Sequence, residues 1–247
     1  MATRWRVGVV EAPITAFLKP EFNPEVRWIP LPRGQSWARP FGRVGQGGLE
    51  VFCEAGNHLA RIRDGVVEPL LGFPAEADLS HPYLVEEDSD VYCVPGVADA
   101  SEVCLYQRLP SGEWAYSATL LPNFAGLEAV LFAIEGRWWM TCPRVGDGGE
   151  LCLFHAPTLR GPWQAHAGNP FRTAAAKPAG TPFLHDGVLY RPAVDREGVV
   201  IQRVRRLTPA SFEEEMAVRV PGAWRTLAAV GAITLVDAPA ARFLRRQ

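Results

Sequence analysis

Five side chains with useful chemistry recur at nearly even intervals along this 247-residue chain: Arg39, His81, Glu128, Lys177 and Arg225, separated by 42, 47, 49 and 48 residues. Three are cations, one is a carboxylate, and one is an imidazole, the side chain that titrates closest to neutrality. An Arg presents a planar fork matched to carboxylate or phosphate, and a Lys adds a point charge. Glu128 is the candidate for proton transfer, its pKa open to tuning by Lys177 or Arg39, with His81 as complementary acid or base. Brought round one centre, the set predicts a small anionic or sugar ligand, held by Arg39, Lys177 and Arg225, with Glu128 and His81 as catalytic candidates. The same residues also fit a plainer arrangement, in which the cations pair with Glu128, Asp195 and nearby carbonyls to fill a polar channel.

What must position them is a repeated element. A step of 42 to 49 residues is the period of a propeller blade. Inside each period an apolar strand, a turn and a second, aromatic-rich strand follow one another: Leu131-Phe-Ala-Ile, Glu135-Gly136, Arg137-Trp-Trp-Met, and later Pro182-Phe-Leu-His, Asp186-Gly187, Val188-Leu-Tyr-Arg. Such Xaa-Gly dipeptides supply the positive φ of tight hairpins. Further turns are expected at Asp64-Gly65, Glu87–Asp90, Ser111-Gly112 and Gly146–Gly149. The prediction is an all-β, five-bladed propeller of four-stranded antiparallel blades around a central channel, one domain spanning 1–247. Trp5-Arg-Val-Gly-Val-Val closes the ring against Ala232–Asp237, because an open ring would leave an unpaired strand edge. A β-sandwich shares the turn spacing but not the long period. One helical turn is expected at Thr208–Met216, where Thr-Pro precedes a run of acids.

Composition narrows the partners. The net charge of −2 recommends neither nucleic acid nor an anionic membrane. Five cysteines without a CxxC pair, set in apolar runs, read as reduced core residues. The N-terminus lacks the apolar core of a signal peptide, so the expected location is the cytoplasm. No P-loop, dinucleotide fingerprint, HExxH or GxSxG sequence occurs, and no cofactor or metal is expected. Arg191 and Asp195 are expected to flank the pocket or to pair with each other. Trp37 and Trp224 precede channel residues and offer either a stacking platform for a sugar ring or packing between blades. His166 has the context of a backbone cap, Trp138 and Trp139 must face opposite sides of a strand, and His58, His155 and His185 have no evident partners.

The motifs Trp5-Arg-Val-Gly, Trp28-Ile-Pro, Ala38-x-Pro-Phe, Leu79-Ser-x-Pro-Tyr, Gly136-Arg-Trp-Trp, Gly161-Pro-Trp, His166-x-x-Asn-Pro170, Pro178-Ala-Gly180 and Leu189-Tyr-Arg-Pro192-x-x-Asp195 resemble, in order and spacing, a known group. It is the five-bladed propeller domain of glucosamine inositolphosphorylceramide transferases and of bacterial proteins of glycan clusters, similar in turn to arabinanase and xylosidase glycoside hydrolases. The resemblance implies a carbohydrate-related channel lined by innermost strands, which in the hydrolases present three carboxylates. It also implies an Asp between Ala and Pro in the first blade, an Asp in the third, an Arg before Pro-Ala-Gly and a His in the last. This chain has Arg39, Glu128, Lys177 and Arg225 at those points, and His81 where an aromatic is usual. With Arg39 in place of the first carboxylate, two-carboxylate hydrolysis cannot run in its usual form. The function expected is a glycoside-hydrolase-like enzyme with an altered site, acting on an anionic sugar or small metabolite in glycan or small-molecule biosynthesis. The alternative is a non-catalytic carbohydrate-recognition module partnering a transferase.

Overall fold

The computed structural model describes residues 3–145 and 150–240, and their regular structure is almost entirely strand. The chain opens with β1 (Trp5–Val10) and β2 (Val26–Trp28), joined past a short 3-10 turn at Ile14–Leu18. Four sheets follow in sequence. The first is β3 (Trp37–Gly45), β4 (Gly48–Ala55), β5 (His58–Arg63) and β6 (Val66–Pro69), and the second β7 (Leu79–Glu87), β8 (Asp90–Val97), β9 (Val103–Arg108) and β10 (Trp114–Leu121). The third is β11 (Val130–Ile134), β12 (Arg137–Pro143), β13 (Glu150–Ala156) and β14 (Gln164–Ala165), with β15 (Phe171–Arg172) also on β13. In the fourth, β16 (Lys177–Pro178) and β17 (Phe183–His185) are two halves of one inner strand beside β18 (Val188–Val194), β19 (Val199–Thr208) and β20 (Ser211–Arg219). The fifth combines both ends of the chain in the order β2-β1-β22-β21, with β21 (Leu227–Val230) innermost and β22 (Ile233–Pro239) next. The molecule is a five-bladed β-propeller, closed by β1 pairing with β22 from Trp5↔Pro239 to Val10↔Thr234.

Local chemistry accounts for the blades. At Asp64-Gly65, Glu135-Gly136 and Asp186-Gly187 both residues have positive φ, between 50° and 77°, the conformation whose twist matches two paired strands. The predicted turn at Gly146–Gly149 lies outside the described residues. Adjacent blades are joined by aromatic contacts: Phe41 meets Tyr83 edge to face at 5.1 Å, and Trp114 stands edge-on to Phe52 at 6.1 Å. The Tyr83 hydroxyl, fully buried, donates to the Leu131 carbonyl at 2.7 Å and so ties the second blade to the third. Each such aromatic stabilises the fold by about 1.5–3 kcal/mol through burial.

The helical turn predicted at Thr208–Met216 is instead the β19–β20 hairpin. Thr208 Oγ1 accepts the Ser211 N–H at 2.9 Å, turning the chain. The acids that looked like a helix start then alternate across the ladder, where Glu213 lies opposite Arg206 and Glu215 opposite Arg203. Cross-strand pairing of opposite charges outweighs the local helix signal. No helix among the described residues is long and apolar enough to cross a membrane.

Candidate functional site

Three of the five periodic residues do share one structural position, and the backbone marks it. Arg39, His81 and Glu128 have φ of 50°, 47° and 58°, the left-handed region that side chains other than Gly rarely occupy. None is in a hairpin turn. Arg39 and His81 fall where the ladder slips by one residue, between Ala38 and Phe41 in β3 and between Ser80 and Tyr83 in β7. Glu128 sits in the same gap, between the Gly126↔Arg144 bridge and Val130↔Thr141. Each bulge turns one side chain of an innermost strand toward its neighbours in adjacent blades. Residues held this way cost on the order of 1–3 kcal/mol each, a strain that characteristically collects at functional sites.

The three side chains converge. The Arg39 guanidinium bridges two carboxylates: one amino group pairs with Glu54 at 3.0 Å, the other with Glu128 at close range. Glu54 belongs to β4, directly opposite Ala38, so first-blade and third-blade acids are held by one first-blade cation. His81 is wholly buried, its ring edge-on to Phe41 at 4.9 Å and hydrogen-bonded to the backbone of Ala129. Burial, with Arg39 adding to it, lowers its pKa well below the usual 6.5, so the imidazole is neutral, and its Nε2 is buried without a partner. Beneath this layer Asp237, completely buried, accepts the Arg39 N–H at 2.9 Å and the Arg225 N–H at 3.0 Å. Burial raises its pKa, partly opposed by those two N–H groups and by the Arg225 and Arg39 charges. Asp237 thereby latches the last blade to the first and fixes the backbone that aims Arg39.

The other predicted site residues lie elsewhere. In the fourth blade the irregular stretch runs from Ala179 to Pro182, and Gly180, not Lys177, holds the left-handed position, with φ 136°. A Cβ at Gly180 would stand 1.8 Å from the Leu227 carbonyl, so close approach of the fifth blade demands glycine there. Lys177 is exposed ahead of this segment. The fifth blade has no bulge, and the half-buried Arg225 stacks over the Trp5 ring at 4.5 Å. Trp37 is 2% exposed and so packs between blades rather than stacking on a ligand. Trp224, half-buried, lies against Trp28 at 6.3 Å with its Nε1 donating to the Pro221 carbonyl. Arg191 and Asp195 do not pair with each other. Arg191 is buried in a two-pronged ion pair with Glu214 at 2.7 and 3.1 Å, and Asp195 takes both amino groups of Arg219 at 2.7 and 2.9 Å, while capping the β18–β19 turn. Both ion pairs fasten strands of the fourth blade. His166 caps the backbone as expected, accepting the Gly168 N–H at 2.9 Å.

Glu54 and Asp237 were not singled out from sequence. Asp237 carried a readable signal, being a lone carboxylate in the apolar run Ile233-Thr-Leu-Val-Asp-Ala. Glu54 carried none, since its role depends on which residue of β3 it faces. The expected cationic centre is not present in that form, because Arg39 is matched by two carboxylates while Lys177 and Arg225 turn elsewhere.

The five-bladed propeller is a fold shared with several glycoside hydrolases. A family 117 glycoside hydrolase of Zobellia galactanivorans superposes with a TM-score of 0.59 at 13% identity, over 80% of this chain and 74% of that one. An α-L-arabinofuranosidase from Lactobacillus brevis superposes with a TM-score of 0.56 at 10% identity, over 81% and 83% of the two chains. At these identities the likeness is one of fold. The sequence is more specific: residues 65–223 match the family described as glucosamine inositolphosphorylceramide transferase 1, N-terminal, and the chain belongs to that family. Glucosamine inositolphosphorylceramide transferase 1 of Oryza sativa subsp. japonica is 26% identical over 152 residues, 55% of this chain. The match covers only 20% of that relative's length, so the chain corresponds to about a fifth of the curated proteins it resembles.

Proposed function

We propose that this propeller is a carbohydrate-recognition domain whose channel mouth, around Arg39, Glu54, Glu128 and His81, grips a sugar beside a glycosyl-transfer activity in glycan or small-molecule biosynthesis. The carrying observation is the single guanidinium between two carboxylates, set on a strained bulge repeated in three successive blades. Hydrolysis in the glycosidase manner requires one carboxyl protonated and another free across the glycosidic bond. Here a permanent cation binds both acids and stands between them. The same trio suits sugar hydroxyls, which accept from the guanidinium and donate to the carboxylates. The family's transferase name supports a glycan setting, and a transferase is the proposed partner. The cysteines, reduced and four of them buried, are in keeping with a reducing compartment such as the cytoplasm.

A second reading, an enzyme acting on an anionic sugar, draws on the unpartnered Nε2 of the neutral His81 near Arg39 and Glu128. In it Glu128 and His81 exchange a proton with substrate, and Arg39 meets the anionic substituent. Saturation-transfer NMR with a panel of neutral and acidic sugars separates the two. Recognition predicts binding without turnover, abolished by Arg39→Ala. Turnover of any bound sugar, lost in Glu128→Gln with binding retained, supports the enzyme, and binding unaffected by Arg39→Ala overturns both.

A further inference from the structure

A second cluster of charge lies at the other end of the third and fourth blades. Between them opens a cleft of about 450 Å3, lined where the β11–β12, β17–β18 and β19–β20 hairpins turn. Glu128 precedes β11 and Glu135 follows it, so about seven residues of extended chain, roughly 23 Å, separate the cleft from the channel mouth. Four arginines line it, Arg137, Arg203, Arg205 and Arg206, with Glu135 as the one acidic lining residue.

Two of the four are held in ordinary ion pairs, Arg205 with Glu215 and Arg206 with Glu213 at 3.6 Å, and the other two are not. Arg137 hydrogen-bonds to His155 Nδ1 at 3.1 Å, and no carboxylate pairs with it among the described residues. His155 is buried and packs against Trp139 at 5.6 Å. Burial lowers its pKa, with Arg137 and then His166 adding to the effect. A neutral imidazole therefore anchors the guanidinium and leaves its charge uncompensated. On the facing wall the β19–β20 ladder slips between Val204 and Arg206, inserting Arg205 as a bulge and bringing successive arginines to the cleft. Arg205 takes Glu215 at 2.7 Å, leaving Arg203 only a 4.0 Å approach to the same carboxylate. The Arg203 Nε is buried with no hydrogen-bond partner. A donor left so is costly unless a ligand supplies the acceptor.

We propose that this cleft binds the phosphate group of a phosphate-bearing ligand, with Arg137 and Arg203 as forks from opposite walls. A tetrahedral anion offers enough oxygens for two planar forks, which a single carboxylate does not. The volume exceeds that of the anion alone, and Val188, Leu189 and Leu207 give the organic remainder an apolar wall. The site is separate from the channel mouth and stands or falls without it.

The test is calorimetric titration of the full chain with inorganic phosphate and glucose 6-phosphate, beside sedimentation with phosphatidylcholine vesicles with and without phosphatidylinositol. Saturable phosphate binding without vesicle association assigns a soluble phosphate ester. Vesicle association that needs phosphatidylinositol and is reversed by phosphate assigns a lipid headgroup, and either result supports the site. Arg137→Gln with Arg203→Gln is expected to weaken binding by about tenfold or more, since each fork contributes charge-assisted hydrogen bonds. Should the double variant misfold, Arg137→Gln alone, at an exposed strand end, carries the test, and Arg63→Gln on another face leaves binding unchanged. No phosphate or vesicle binding by the wild type, or equal binding by the variants, overturns the proposal.

Discussion

The Arg39 cluster, the channel mouth of our proposal, and the cleft between the third and fourth blades are both built around arginine, yet they are electrostatic opposites. At the mouth, Arg39 lies between Glu54 and Glu128, so the cation and its partners form a polar surface without excess positive charge. In the cleft, Arg137 rests on a neutral histidine and Arg203 on little more than the edge of an occupied carboxylate. A third cluster, in the cleft between the first two blades, shows the closed limit. Glu50, 4% exposed, receives Arg108 at 2.8 and 3.1 Å, Arg61 at 2.9 Å and Arg43 at 3.2 Å. What an arginine does in a propeller thus follows from its acceptors rather than from the number of cations nearby. Closed clusters hold blades together, half-closed ones suit hydroxyls, and open ones await an anion.

The largest effect that tests this ordering is at Glu50. Glu50→Ala leaves Arg108 without a carboxylate while Arg43 and Arg61 keep Glu86 and Glu68, and is expected to cost about 3 kcal/mol, read from the urea midpoint. A loss below about 1 kcal/mol would place Glu50 with ordinary surface pairs and break the comparison. The pH profile sharpens it. Burial alone would raise the Glu50 pKa, but Arg108, Arg43 and Arg61 outweigh it and bring it from 4.5 to about 2. The stabilisation is therefore complete above pH 4.5 and is lost as pH falls toward 2. His81 acts earlier: with its folded pKa below 6.5, the unfolded chain takes up the proton first, and stability declines as pH drops below 6.5. In melting temperature against pH, Glu50→Gln should shrink the lower phase, which Asp195 shares, and His81→Phe the upper one, which His155 shares.

Smaller effects are expected at the mouth. Glu128→Gln removes one of the two acids on Arg39 and should cost about 1–3 kcal/mol. A double-mutant cycle with Arg39→Ala should return a coupling of about 0.5 kcal/mol or more, and additivity would show that the bridge is not made in solution. Smallest is Arg137→Gln, within about 0.5 kcal/mol of wild type by thermal unfolding, because no carboxylate among the described residues pairs with it and a Gln amide can still donate to His155.

The fold was legible because it rests on local chemistry that recurs from blade to blade: the apolar strands and the blade-length period, with Xaa-Gly turns at Asp64-Gly65, Glu135-Gly136 and Asp186-Gly187. The site was legible where the repeat is faithful, so Arg39, His81 and Glu128 fall on equivalent bulges. It was misread where a blade departs from the pattern. Gly180 takes the fourth position because the Leu227 carbonyl leaves no room for a Cβ, and a contact between blades has no trace in the spacing that pointed to Lys177. Partners across the ladder were equally hidden. Glu214 and Arg219, which hold Arg191 and Asp195, and Glu54, which holds Arg39, are set by register, and one residue of slip would have chosen others. His155 had no evident partner in sequence because Arg137 meets it across β12 and β13, where Trp139 is its direct opposite.

Sugar recognition at the channel mouth is tested most directly by mapping amide shifts of the wild-type chain during titration with the tightest-binding sugar of the panel. Perturbations centred on Arg39, His81 and Glu128, absent from Arg39→Ala, are the predicted result. Perturbations confined to blade rims, or unchanged in Arg39→Ala, would contradict it.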